Sequence, residues 1–88
     1  MQKEINNIEV CLRDLLAELM EVDPQVISTT STFSELGVDS LVGLRFVRRV
    51  RDVVGVEIEL ESVFDYPTLA QLAFYVQDQQ SLLLAEIE

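Results

Sequence analysis

The sequence predicts an all-α fold, a small four-helix bundle of three main helices and one short helix with a long first loop. Three observations predict it. Apolar residues recur at steps of three and four residues in three separate segments, which is the period of an amphipathic helix. Of the 88 residues, 49% are apolar, which is enough for one modest core in one small domain. A single segment alternates as strands do, and a lone strand leaves its backbone unpaired.

The first helix is predicted to run from about Lys3 to Met20. Its apolar residues share one narrow stripe when they are placed at about 100° per residue. This stripe comprises Ile5, Ile8, Leu12, Leu15, Leu16 and Leu19. Cys11 lies at the edge of the stripe, and we expect it to be a small core residue without a further role.

The next segment, "VDPQVISTTSTFSEL", is expected to be a long loop. Pro24 disfavours helix at Asp23, and the serine and threonine cluster from Ser28 to Ser34 is typical of a loop. Long loops in compact domains need anchors to the core. The candidate anchors are Val26, Ile27, Phe33 and Leu36.

The second helix is predicted to begin at Asp39 or Ser40 and to end at about Val54, stopped by Gly55. One broad arc of this helix is apolar and is expected to be buried: Val42, Phe46, Val47, Val50, Val53 and Val54. The opposite arc is charged: Arg45, Arg48, Arg49, Arg51 and Asp52. Leu41 and Leu44 lie on this charged arc, where apolar side chains are not expected.

The remainder should hold a connector and two helices. Residues 56–60, "VEIEL", alternate as a strand does, but no second strand candidate exists, so we expect an extended connector. A short helical turn is expected around Leu60 to Phe64. Thr68 and Gln71 match the spacing of a capping box at the start of the last helix. Its predicted inner stripe is Leu69, Leu72, Ala73 and Val76.

The predicted domain spans residues 1–78, and residues 79–88 form either a C-terminal tail or an extension of the last helix. A frayed end is the preferred interpretation. The three consecutive leucines Leu82, Leu83 and Leu84 leave a second hypothesis, in which this segment docks a partner.

The charge balance excludes some classes of function. Sixteen acidic residues against six basic ones give a net charge of −10, which argues against a nucleic-acid partner and favours basic protein surfaces. Four of the basic residues fall in the predicted second helix.

No apolar run is long enough to span a membrane, and the N-terminus has no signal-peptide pattern. A single cysteine excludes an internal disulfide, so a cytoplasmic setting is the default expectation.

The stretch "LGVDSLVGLRF", residues 36–46, places a serine where a helix begins. A catalytic serine needs a base, usually histidine; the chain has none, and its one lysine is Lys3. No metal-binding motif is present either, so we predict neither a catalytic residue nor a metal ligand. Either Asp39 or Ser40 can act as a helix cap, and local residues alone favour that role. A hydroxyl in the first turn is also well placed to carry a phosphodiester, because backbone N–H groups there favour phosphate.

Two motifs carry a family resemblance. "LGVDSL" resembles the attachment motif of acyl carrier proteins, and "VFDYPTLAQLA" resembles the segment around the third and fourth helices of carrier domains in type I modular polyketide synthases. The resemblance covers roughly Ile5 to Gln77. It implies that Ser40 carries a covalent 4′-phosphopantetheine arm, transferred from coenzyme A by a phosphopantetheinyl transferase. It further implies a non-catalytic carrier that holds acyl groups as thioesters for ketosynthase, acyltransferase and tailoring domains.

The resemblance also implies roles for neighbours of Ser40. Asp39 would help the transferase to set its metal and substrate, and Leu41 matches an exposed apolar residue of the family. We interpret Leu41 and Leu44 as a contact for partner enzymes, flanked by Arg45 and Arg48.

The neighbours of Ser40 are also compatible with two purely structural arrangements. In one, Phe33 or Leu36 from the loop covers the two leucines. In the other, ion pairs such as Arg48 with Asp52 occupy the arginine face.

Two alternatives to a polyketide carrier remain. Peptidyl carriers of nonribosomal synthetases tend to show a second glycine and often a histidine before the serine, so "GVDS" favours the acyl class. The absence of tryptophan weighs against carriers specialised for β-branching. The alternative from a different class is an acidic helical interaction domain in which Ser40 is only a cap.

Overall fold

The structure, a computed structural model, describes residues 4–87, with side chains described for residues 8–85. Its helices are α1 (Glu4–Met20), α2 (Ser40–Val54), α3 (Leu60–Asp65) and α4 (Leu69–Ile87), with one 3₁₀ turn at Pro24–Val26. The all-α fold with one short helix and a long first loop is therefore confirmed. The predicted start of the first helix at Lys3 and the side chain of Ile5 lie outside the described residues.

The core lies where α1 packs against both α2 and α4, and α3 packs against α2. The predicted stripes of α1 and α4 supply its centre, including the fully buried Leu12, Leu16 and Leu72. Cys11 is partly buried against this core. Burial, and secondarily the charge of Asp14, raise the pKa of the Cys11 thiol, so the thiol stays protonated at neutral pH.

The long loop is anchored by Ile27 and Phe33, which are buried, and by the half-buried Leu36. The prediction for Val26 is wrong: its side chain is 66% exposed. Asp23 caps the 3₁₀ turn by accepting a hydrogen bond from Gln25 N, and this turn directs Val26 towards solvent and Ile27 towards the core.

Helix α2 ends at Val54, as predicted, and Gly55 follows as its C-cap with a positive φ of 84°, in the left-handed region. Phe46, Val47 and Val50 are buried as expected, with Val42 and Val54 packed at the margin. The prediction for Val53 is wrong, because its side chain is exposed. It lies in the last turn of α2, which the chain leaves at Gly55, and no element of residues 4–87 covers it.

The connector is extended and forms no strand within the described residues. Val56 and Ile58 are buried while Glu57 and Glu59 are exposed, so the alternation reflects burial on one side of the connector rather than sheet pairing. Leu60 then begins α3, as expected.

The last helix begins with the predicted cap, since Gln71 N donates to Thr68 Oγ1 at 3.1 Å.

The preferred interpretation of a frayed end is wrong, because α4 continues to Ile87. Residues 79–87 contain no glycine or proline and are rich in leucine and glutamine, which favour helix. The division of the chain at residue 78 stays a prediction. None of the helices within residues 4–87 has the length and apolar character needed to cross a bilayer.

Candidate functional site

Ser40 is the first residue of α2, and its side chain is exposed. The cap of this helix is Asp39, whose backbone is extended and whose Oδ1 accepts a hydrogen bond from Val42 N at 2.9 Å. The Ser40 hydroxyl makes no side-chain hydrogen bond within the described part of the chain. Capping thus occupies the aspartate and leaves the serine hydroxyl available for another role.

A hydrogen-bonded turn places Ser40 at this position. Thr32 and Glu35 bond reciprocally: Glu35 N donates to Thr32 Oγ1 at 3.0 Å, and Thr32 N donates to Glu35 Oε1 at 2.9 Å. Gly37 follows with a positive φ of 88°, a conformation that side chains rarely adopt, and Val38 N then donates to Phe33 O at 2.9 Å. The turn between Phe33 and Val38 therefore explains why a glycine stands at position 37, three residues before Ser40.

A groove of about 320 Å³ lies beside Ser40, between the turn, the start of α2 and α3. Its apolar walls comprise Phe33, Val38, Val63, Phe64 and Pro67. Gly43 forms part of its floor, and a Cβ there would lie only 3.0 Å from Leu60 Cδ1, so glycine permits the close approach of α3 to α2.

Phe64 is a residue of the site that the sequence pattern did not indicate. Its side chain is 62% exposed and lines the groove. One feature of the sequence could have indicated it. Phe64 directly follows Val63 in a short helix, and because such a helix can bury only one side, burial of Val63 leaves Phe64 exposed.

Leu41 and Leu44 are 58% and 39% exposed. The alternative in which Phe33 or Leu36 covers them is not what the structure shows. Phe33 is buried and packs against Phe46, with ring centroids 6.0 Å apart, and Leu36 packs against the core. Both leucines therefore face solvent on the charged side of α2, close to Ser40.

Arg45 and Arg48 are exposed and form no ion pair within the described residues. The expected pair of Arg48 with Asp52 is absent there, because Asp52 Oδ1 instead lies 3.5 Å from Arg51 Nε. We call the exposed set Leu41, Leu44, Arg45 and Arg48 the α2 surface.

Helix α2 also makes an ion pair with α1. Arg49 Nη2 lies 3.3 Å from Glu18 Oε1, so this arginine joins the two helices and is not part of the α2 surface.

The cap at Asp39 leads to a stability prediction. Asp39→Ala removes the acceptor for Val42 N, and we expect it to lower the free energy of unfolding by about 1 kcal/mol. Asp39→Asn keeps a side-chain oxygen for the same bond and should cost clearly less. Urea denaturation of the two variants measures the difference, and equal losses would show that the cap is not the source of the stability.

Comparison with known proteins identifies the family. A family model described as a phosphopantetheine attachment site matches residues 12–76, which is most of the chain. The chain belongs to this family of carrier domains. Members carry a covalently attached 4′-phosphopantetheine, so the sequence-based prediction of family and cofactor is confirmed.

The curated relatives of this carrier domain are much larger proteins, and the similarity covers only a short segment of each. Polyketide synthase ThaG of Burkholderia thailandensis is 34% identical over 68 residues, which cover 77% of this chain and 1% of that synthase. The chain spans between 1% and 4% of the length of the curated relatives it matches.

Solved structures show the same fold. A free-standing peptidyl carrier protein from Acinetobacter baumannii matches with a TM-score of 0.72 at 31% identity, covering 91% of both chains. The HMG-ACPI domain of the CurA module from Lyngbya majuscula matches with a TM-score of 0.75 at 26% identity, covering 93% of this chain and 89% of that one. Carriers named for peptide assembly and acyl carriers thus both resemble this domain.

The surroundings of Ser40 fit the phosphopantetheine group. The hydroxyl is exposed and has no hydrogen-bond partner in the described part of the chain, and the first-turn N–H groups that Asp39 leaves free favour an attached phosphate. The adjacent groove is mainly apolar, with the polar residues Thr32 and Ser34 also in its lining, which suits a neutral chain with amide groups.

Proposed function

We propose that Ser40 is the attachment residue and that the domain presents polyketide intermediates to synthase enzymes. The observation that supports this most is at the start of α2, where Asp39 caps the helix and the exposed hydroxyl of Ser40 has no hydrogen-bond partner among the residues that the structure describes. The bound group supplies a terminal thiol that holds an acyl chain as a thioester. The domain's own residues orient that arm and present it, which raises the effective concentration of the acyl chain at each partner.

The domain itself is proposed to catalyse nothing. A serine nucleophile needs a neighbouring base, and the sequence has no histidine to act as one for Ser40. The proposed partners are a phosphopantetheinyl transferase and the ketosynthase, acyltransferase and tailoring domains of a polyketide synthase, in a cytoplasmic setting.

The polyketide class is supported by "GVDS", which lacks the histidine and second glycine typical of peptidyl carriers, and by the similarity to ThaG. The similarity to the Acinetobacter baumannii peptidyl carrier supports the second candidate, a carrier for nonribosomal peptide synthesis.

The test of the proposed function uses coenzyme A, magnesium and a broad-specificity phosphopantetheinyl transferase. We expect the intact mass to rise by one phosphopantetheine group, and peptide mapping should place it on Ser40. Absence of a mass gain on folded protein, with a known carrier modified in parallel, contradicts the proposal.

A second assay distinguishes the two synthase classes. The arm-bearing domain is offered to a polyketide acyltransferase with malonyl-coenzyme A and to an amino-acid-activating adenylation domain with ATP. Loading by the acyltransferase supports the polyketide class, and loading by the adenylation domain alone supports the peptide class.

We further propose that the α2 surface contacts partner enzymes. Leu41 and Leu44 provide apolar area next to Ser40. Arg45 and Arg48, which form no ion pair among residues 8–85, provide positive charge on a chain that is otherwise acidic. Asp39, next to the serine, would help the transferase to set its metal, with its capping bond as a second role. Complementary partners would present acidic groups, and charge of this kind mainly accelerates the encounter.

This contact leads to a prediction with a matched control on the same helix. Arg45→Glu should slow acyl transfer from the acyltransferase to the arm-bearing domain about tenfold at low salt, since repulsion replaces attraction at the contact. Arg51→Glu makes the same charge change but lies further from Ser40 and beside Asp52, so its effect should be much smaller. The measurement is kcat/KM at low and high salt, and equal losses in both variants would contradict a localised contact.

A further inference from the structure

Helix α4 has apolar residues on two opposite faces. Its inner stripe is buried against the core, while Phe74 and Leu82 lie on the opposite side at steps of four residues, with Asp78 between them. Phe74 is 75% exposed, more than any other large apolar residue of the described chain, and Leu82 is exposed as well. The outer side of an amphipathic helix is ordinarily polar, so Phe74 and Leu82 are apolar area that this bundle leaves uncovered.

A stacked pair of tyrosines and two shallow concavities border Phe74 on this side of α4. The ring of Tyr66, just past α3, stacks on Tyr75 with centroids 4.6 Å apart and planes at 18°, which holds both rings in place. Phe74 stands between two shallow concavities of about 450 and 350 Å³, and Asp78 lines both of them. We call Tyr66, Phe74, Tyr75, Asp78 and Leu82 the outer α4 surface.

The charge of this surface indicates the chemistry of its occupant. Asp78 is the one charged residue between Leu69 and Ala85, and no lysine or arginine follows Arg51 in the sequence. A cation that pairs with Asp78 on docking is therefore best supplied by the partner. A second copy that met the same face in a symmetric dimer would bring Asp78 towards Asp78 with no cation from either α4, which disfavours self-association.

We propose that the outer α4 surface binds an amphipathic helix of a partner protein, which packs apolar side chains around Phe74 and places a lysine or arginine beside Asp78. Aromatic side chains, phenylalanine included, are enriched at the centre of protein interfaces, and a cation over Tyr66 or Tyr75 adds a further attraction. This surface is acidic and aromatic, whereas the α2 surface is cationic and aliphatic. The two surfaces therefore select partners of opposite charge, and the inference stands independently of the role of Ser40.

The test uses two fluorescein-labelled helical peptides of about 18 residues, long enough to form a helix. The first peptide has leucine along one face of the helix and lysine along the opposite face. The second peptide has glutamate in place of every lysine. The full chain is titrated into each peptide at physiological salt, and fluorescence anisotropy gives Kd. We expect the lysine peptide to bind and Phe74→Ser to weaken it about tenfold or more. Asp78→Asn should weaken it several-fold.

Phe64→Ser is the matched control, because Phe64 is also an exposed phenylalanine but lies beside the groove at Ser40. It should leave the Kd of the lysine peptide unchanged, and circular dichroism should show all three variants folded. Equal weakening by Phe64→Ser, an unchanged Kd in Phe74→Ser and Asp78→Asn, or equal binding of the glutamate peptide would each overturn the proposal. Sedimentation that finds a dimer dissolved by Phe74→Ser would overturn it in favour of a second copy.

Discussion

Ser40→Ala is expected to abolish the mass gain of one phosphopantetheine group that the transferase, coenzyme A and magnesium give to the unmodified domain. The variant removes the hydroxyl oxygen to which we propose the phosphate is joined. Because Ser40 is exposed and Asp39 supplies the cap, the free energy of unfolding should change by no more than about 0.5 kcal/mol. Intact mass spectrometry and urea denaturation on the same sample separate loss of the attachment point from loss of fold.

Ser34→Ala is the matched control for this experiment. Ser34 is an exposed serine that lines the same groove, so its variant changes the same chemical group a short distance away. It should keep the full mass gain. Modification that persists in Ser40→Ala, or that disappears in Ser34→Ala, would place the attachment elsewhere.

The second large effect is expected at Phe46. This side chain is fully buried at the centre of α2, and its ring packs against Phe33 of the long loop. Truncation of a buried phenylalanine to alanine removes transfer free energy and leaves a cavity, so Phe46→Ala should lower the free energy of unfolding by about 3–5 kcal/mol. A small domain has only about 5–15 kcal/mol in total, so the variant should be near the limit of folding.

Urea denaturation followed by circular dichroism measures this loss. Phe64→Ala is the comparison, because the exposed Phe64 should lose less than about 0.5 kcal/mol when truncated. A Phe46→Ala variant within about 1 kcal/mol of the original protein would mean that the loop and α2 repack around the gap, and would contradict the predicted loss.

The sequence was sufficient to predict the helices because their apolar residues follow one period over many turns. It was not sufficient to predict which part of an apolar face another element covers. Val26 and Val53 are apolar and in register with buried neighbours, yet both are exposed, because a local turn in one case and a helix end in the other leave them outside the packing. Phe74 illustrates the same limit on the outer side of α4.

For the candidate site, the sequence indicated a position but not its surroundings, and Ser40 as the attachment residue stays a prediction. The motif indicated Ser40, but Asp39 and Ser40 are both good cap residues, and periodicity cannot choose between neighbours. The hydrogen bond from Val42 N to Asp39 Oδ1 shows that Asp39 is the cap. The groove was not predictable, because its walls include Phe33 and Phe64, which are far apart in sequence and meet only in the folded chain.

Two backbone hydrogen bonds tie the long loop to the start of α4: Phe33 N donates to Pro67 O at 2.8 Å, and Ala70 N donates to Thr29 O at 3.0 Å. They fix one wall of the groove. The opposite wall, α3, has only six residues, and its N-cap residue Glu59 makes no side-chain capping bond. Widening of the groove for a bulkier cargo would therefore come from displacement of α3 and not from swinging of the loop. Faster amide hydrogen exchange in residues 60–65 than at Phe33 and Ala70 would reveal this asymmetry.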